Sequence, residues 1–167
     1  MIETGQEAPD FELRDQDGET VTLSGLRGRR VVLYFYPKAD TPGCTTQACG
    51  IRDRGSEYGD AGAVVLGVSP DPVKAVKKFH DKQALNFTLL ADEDHAVCET
   101  YGVWAEKSMY GKTYWGALRA TFIIDGELVN ARLHLPSGAR ALRSRAWPQG
   151  RRSGTGCPGR TAPGGRH

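Results

Sequence analysis

The chain holds 167 residues, one domain's worth at the usual size of about 100–150 residues. With 39% hydrophobic and 25% charged residues its composition is that of an ordinary globular protein, and no run approaches the roughly 18 apolar residues of a membrane helix. The formal charge of +2 hides two unlike parts: every acidic residue lies at or before Glu127, and eight arginines follow it.

In chain order, Phe11, Leu13, Val21 and Leu23 alternate around the turn signal Asp15-Gln16-Asp17-Gly18 and predict a small hairpin. Val31 to Tyr36 is an unbroken apolar run, expected as a strand buried on both faces of a sheet and ended by Pro37. A helix is predicted to begin near Thr41-Pro42, with a hydroxyl at the cap and proline at the first helical position. Val64 to Val68 reads as a second buried strand. Ser69-Pro70-Asp71-Pro72 then opens a helix carrying Val73, Val76, Lys77 and Phe79. Thr88 to Leu90 is a short third strand. Asp92-Glu93-Asp94 places negative charge at the start of a helix reaching about Tyr101. Trp104, Tyr110, Tyr114 and Trp115 are read as a loop packed over the rim of the site. Thr121 to Ile124 and Leu128 to about Leu133 form a last hairpin turning at Asp125-Gly126. Strands alternating with helices predict an α/β domain, a central sheet with helices on both faces. Ligands in such sheets sit where the carboxyl ends of strands meet helix N-termini, which points to the segment after Tyr36.

That segment reads Pro37-Lys38-Ala39-Asp40-Thr41-Pro42-Gly43-Cys44-Thr45-Thr46-Gln47-Ala48-Cys49. Cys44 falls in the first helical turn, where unpaired N–H groups and the positive end of the dipole favour an anion. A thiolate, not a thiol, is the nucleophile, so this is where a reactive cysteine belongs. Cys49 lies five residues on, roughly 7.5 Å of rise and about 140° of rotation along a helix. Their Cα atoms are then roughly 8–9 Å apart, beyond the about 7 Å that a disulfide spans. The two sulfurs can bond only if the first turns unwind, which suits a bond made and broken in each cycle. The spacing is not the C-x-x-C of direct dithiol exchangers. Zinc held by Cys44, Cys49, His95 and Cys98 is a rival, but ligands on opposite sides of one helix converge badly, so no metal is expected. Cys98, beside Val97 on a helix, is assigned to the core. Gly111-Lys112-Thr113 fits the end of a phosphate-binding loop, but Glu106 stands where that motif needs glycine.

The spacing Pro37, Thr41, Cys44 resembles the PxxxTxxC motif of peroxiredoxins. The strings YPKADTPGCTTQACGIRD, LLADEDHAVCETYGVW and EKSMYGKTYWGALRATFIID closely resemble the peroxiredoxin Q group, also called bacterioferritin comigratory protein, from about residue 5 to about residue 129. The resemblance implies a thioredoxin-like fold, a central mixed sheet flanked by helices. It implies reduction of hydrogen peroxide and organic hydroperoxides, with Cys44 as the peroxidatic cysteine and Cys49 as the resolving one. Thr41 would hydrogen-bond the thiolate and the peroxide, Pro37 would shield the pocket from water, and Arg119 would be the active-site arginine. Recycling by a thioredoxin-like reductant, a monomeric state and no metal, haem or flavin cofactor follow from the same resemblance. The polar, acidic start MIETGQEAPDFELRDQDGET is unlike a secretory leader, so a cytoplasmic, antioxidant protein with four reduced cysteines and no membrane partner is expected.

Residues 1–130 are therefore read as the peroxiredoxin-like domain, and residues 131–167 as an Arg/Gly/Pro-rich, disordered basic tail unlike the family. Residues 136–167, PSGARALRSRAWPQGRRSGTGCPGRTAPGGRH, lack Asp, Glu and Lys and show no apolar period. Scattered arginines without interleaved aromatics do not predict a nucleic-acid partner; an out-of-frame reading of a GC-rich gene would give the same composition. Cys157 lies in this tail. Relatives continue through a further helix packed on the sheet, so its loss predicts a less stable domain. The alternative to a peroxidase is a non-enzymatic redox sensor or chaperone-like protein using the same cysteines, impaired by the atypical C-terminus.

Overall fold

The structure, a computed structural model, describes residues 2–134. In chain order the strands and helices are β1 (Glu12–Asp15), β2 (Thr20–Thr22), β3 (Arg30–Phe35), α1 (Pro42–Asp53), α2 (Gly55–Asp60), β4 (Ala63–Ser69), α3 (Val73–Lys82), β5 (Thr88–Ala91), α4 (Ala96–Thr100), β6 (Trp104–Met109), β7 (Lys112–Ala117), β8 (Ala120–Ile124) and β9 (Asn130–His134). Seven strands form one mixed sheet in the order β2-β1-β5-β4-β3-β8-β9. β3, β4 and β5 run parallel, while β8 pairs antiparallel with both β3 and β9. The helices between the parallel strands are the crossovers that such pairing requires.

The apolar run of β3 shows why this strand is central. Val31, Leu33 and Phe35 join one core cluster, and Val32, Tyr34 and Tyr36 join the other. Period-2 alternation sends successive side chains to opposite faces, so a strand apolar at every position fills both cores. One cluster gathers Cys44 and Ala48 of α1 with Val76 and Phe79 of α3. The opposite one gathers Cys98 of α4 with Tyr101, Val103, Phe122 and Ile124. Gly67 on β4 is needed for close approach: a Cβ there would lie 2.8 Å from the Tyr34 ring and from Leu89 Cδ2.

Three segments differ from the sequence expectation. α4 has five residues, because Asp92 through His95 form a capping turn instead of helix. His95 takes a left-handed φ of 51°, and the Asp92 carboxylate accepts the N–H groups of Val97 and Cys98 at 3.3 and 2.8 Å. α2 was not expected from Gly55-Ser-Glu-Tyr-Gly-Asp60, since two glycines lower helix propensity; Tyr58 holds it by packing against the α1–α3 core. The segment read as a packed loop is instead a separate two-stranded sheet, β6 paired with β7. Tyr110 and Gly111, with φ of 52° and 76°, make the two-residue turn with positive φ that fits the strand twist. Tyr110 and Trp115 are 97% and 61% exposed, so these aromatics point to solvent.

β9 carries the last hairpin to His134. Its turn is built by Asp125, whose Oδ1 accepts the N–H groups of Glu127 and Val129 at 3.0 Å each. The expectations for the basic tail, the missing helix and Cys157 lie outside the described residues.

Candidate active site

The chain leaves the end of β3 at Phe35, crosses the Tyr36–Thr41 loop and enters α1. In antiparallel register, Phe35 faces Ala120, so the start of β8 lies beside the end of β3. Arg119, one residue before β8, is thereby delivered next to the loop that feeds α1.

Pro42 is the first helical residue of α1 and Thr41 its cap, which sets Cys44 in the first turn. The Cys44 side chain is 2% exposed and packs with Tyr34, Tyr36 and Ala48. Arg119 Nη2 donates to Cys44 Sγ at 3.0 Å, and Arg119 Nη1 donates to Gln47 Oε1. The guanidinium fork is thus shared between the sulfur and a side chain one helical turn further on, which fixes its plane. A Cβ on Gly43 would sit 3.4 Å from Arg119 Nη2, so the bare helix backbone forms one wall of the guanidinium's seat. Two phenols share the Cys44 cluster, Tyr34 from β3 and Tyr36 from the residue after it. Burial pushes the Tyr34 and Tyr36 hydroxyls well above the usual phenol range, and they remain neutral near Cys44.

Thr41 stands at the cap position, but its hydroxyl is not used as a cap. Thr41 Oγ1 donates to the Lys38 carbonyl at 2.9 Å, closing the loop back on itself. That loop is held from two sides: Ala39 N–H donates to Asp71 Oδ2 at 2.7 Å, and Lys82 pairs with Asp40 at 2.8 Å. Pro37, half-buried, is its second residue.

Cys49 is 2% exposed and lies on the same unbroken helix as Cys44. Cys44 and Cys98 are both free thiols. The Cys49 Sγ lies 3.5 Å from Gln83 Oε1. Two further bonds tie this end of α1 to the segment after α3: Arg52 Nη1 to the Gln83 carbonyl at 2.6 Å, and Asn86 Nδ2 to the Arg52 carbonyl at 3.1 Å. Cys44 and Cys98 occupy the two opposite cores. The four-residue zinc set is therefore not brought together.

Sequence reasoning missed Gln47, Tyr34 and Tyr36 as parts of this surrounding. Gln47 was recoverable, since residues three apart share a helix face. The tyrosines were hidden within a run that reads only as core.

The chain matches the AhpC/TSA family over residues 4–130. It is 56% identical over 126 residues to the Peroxiredoxin Bcp of Escherichia coli strain K12, covering 75% of this chain and 81% of that one. Among solved structures, the peroxidoxin BcpB of Mycobacterium tuberculosis superposes with a TM-score of 0.73 at 37% identity, covering 81% of this chain and 86% of that one. The bacterioferritin comigratory protein of Xanthomonas campestris, described for its alkyl peroxide reduction activity, gives a TM-score of 0.70 at 39% identity over 74% of this chain and 79% of that one. These superpositions identify the mixed sheet and its helices as the thioredoxin-like fold of peroxiredoxins. The chain therefore belongs to the AhpC/TSA family, and within it to the peroxiredoxins of the Bcp, or peroxiredoxin Q, kind.

Proposed function

We propose that the protein is a thiol-dependent peroxidase that reduces hydrogen peroxide and organic hydroperoxides at Cys44. The observation that carries this reading is the 3.0 Å contact between Arg119 Nη2 and a buried cysteine sulfur at a helix N-terminus. A preorganised donor bearing a positive charge meets negative charge both on the attacking sulfur and on the departing oxygen. The related alkyl peroxide-reducing protein of Xanthomonas campestris has the same fold.

In the proposed cycle the Cys44 thiolate attacks the terminal oxygen of the hydroperoxide. The S–O bond forms as the O–O bond breaks, and the alcohol or water leaves with a proton, giving a sulfenic acid. α1 then unwinds locally, the reduced Cys49 thiol attacks the sulfenic sulfur of Cys44, and its proton leaves with the hydroxyl as water while a disulfide forms. A thioredoxin-like dithiol reduces the disulfide by exchange and is itself oxidised. In this reading Pro37 limits water at the sulfur. The Thr41 hydroxyl turns from the Lys38 carbonyl toward the sulfur and its substrate. Arg52, Gln83 and Asn86 are the ties that local melting of α1 must release.

The test is hydroperoxide consumption with thioredoxin, its reductase and NADPH. Wild type should turn over many equivalents and Cys44→Ser none. Cys49→Ser should consume about one equivalent and then fail to recycle. A wild type that consumes one equivalent and stops would favour the redox-sensor reading instead.

A further inference from the structure

Lys107 lies on β6, outside the catalytic set just described, yet its ammonium is bound to the strand end from which the chain runs on to Arg119. Across the hairpin it faces Tyr114. Its stem runs over Gly116: a Cβ there would meet Lys107 Cδ and Cε at 3.6 Å. The missing side chain leaves a flat track for the lysine. Following that track, Lys107 Nζ donates to the carbonyl of Ala117, the last residue of β7. Ala117 is fully buried, and Leu118 N–H donates to the Val103 carbonyl at 2.7 Å. Only Leu118 and Arg119 separate this pinned point from β8. The stretch that presents Arg119 to Cys44 is thus fastened at one end by β8 in the main sheet and at the other by Lys107.

The ammonium also feels the charges of Arg119 and Cys44. Burial first, and then repulsion from Arg119, hold Lys107 below the usual lysine range, while the Cys44 sulfur pulls the other way. A cation placed close to another cation costs free energy in a partly buried setting. That cost suits a position where negative charge develops nearby.

Resting on the peroxidase reading, we propose that Lys107 is a positioning residue for the chemistry at Cys44: it pins the end of β7 so that Arg119 meets the sulfur, and adds a second positive charge to the surroundings of the site.

The test compares Lys107→Met, which keeps the stem and removes both the donor and the charge, with Lys107→Arg, which restores both. Two readouts are taken on the reduced full-length chain. One is the rate at which iodoacetamide, an uncharged reagent that reads the thiolate, alkylates the Cys44 peptide at pH 7. The other is kcat/KM for hydroperoxide. Lys107→Met should slow both by about fivefold to tenfold, and Lys107→Arg should return both to within about threefold of the parent. Lys107→Met equal to the parent in both readouts overturns the proposal. So does Lys107→Arg as slow as Lys107→Met, because a residue that only fills space needs no cation. If Lys107→Met does not fold, Lys107→Gln takes its place under the same criteria. A parent inert to hydroperoxide sinks the peroxidase reading, while the alkylation comparison still decides the role of Lys107.

Discussion

Cys44 and Cys98 are both free thiols and both buried, at 2% and 0% exposure, yet their surroundings are opposite in sign. Cys44 has a guanidinium at 3.0 Å and the N-terminus of a twelve-residue helix behind it. Cys98 has a carboxylate: burial first, then the charge and hydrogen bond of Asp92, push its thiol far above the usual range. The lesson is that burial alone does not make a cysteine inert or reactive. On the proposed reading, the sign of the nearest fixed charge divides a nucleophile from a piece of core.

The contrast can be broken most directly by deleting each sulfur. Cys44→Ser should abolish hydroperoxide consumption, and Cys98→Ser should leave its rate intact; loss in both would erase the distinction. Removing the cation comes next. Arg119→Met should lower kcat/KM for hydroperoxide by about 10²–10³, the usual cost of one preorganised donor to developing negative charge, as read by stopped-flow competition. On the other side of the sheet, Asp92→Ala strips the acceptor from the N–H groups of Val97 and Cys98. It should cost about 1–3 kcal/mol in urea unfolding, with the peroxidase rate of the folded protein unchanged. Gln47→Leu frees one arm of the guanidinium and should lower kcat/KM about fivefold, the worth of one ordinary hydrogen bond.

The smallest effect is one of pH. Burial raises the Asp92 carboxyl above its ordinary value of 3.8. The native state therefore takes up this proton at a higher pH than the unfolded chain does, and Asp92 favours folding increasingly as pH falls through that raised value. Its burial penalty is present in full at neutral pH. Asp92→Asn removes this dependence, so the stability of the variant relative to the parent should be greater at pH 7 than near pH 4. Denaturant midpoints at the two values would check this.

Much of this site is legible in the sequence, because local chemistry sets it out in order: a buried strand, a proline, a helix start and a cysteine in its first turn. β3, α1, β4, α3 and β5 follow from apolar runs and cap signals that act over a few residues. What was not legible depends on contacts between distant segments. The β6–β7 pair carries polar and aromatic residues on both faces, so alternation gave no sign of it. α2 owes its helicity to Tyr58 against the core instead of to its own glycine-rich sequence. Lys107 could not be distinguished from a surface lysine, since only the hairpin register brings its stem over Gly116. The Thr41 hydroxyl was expected at the helix and found on the Lys38 carbonyl, because the loop before α1 turns back on itself.

The antiparallel pairing of β3 with β8 has a consequence for biosynthesis. Cys44 and Arg119 are 75 positions apart, and translation at roughly 5–20 residues per second separates their emergence by about 4–15 seconds. During that interval the nascent sulfur has neither its guanidinium nor the finished sheet around it. On the proposed reading, the assembled site around Cys44 is therefore complete only near the end of the domain's synthesis.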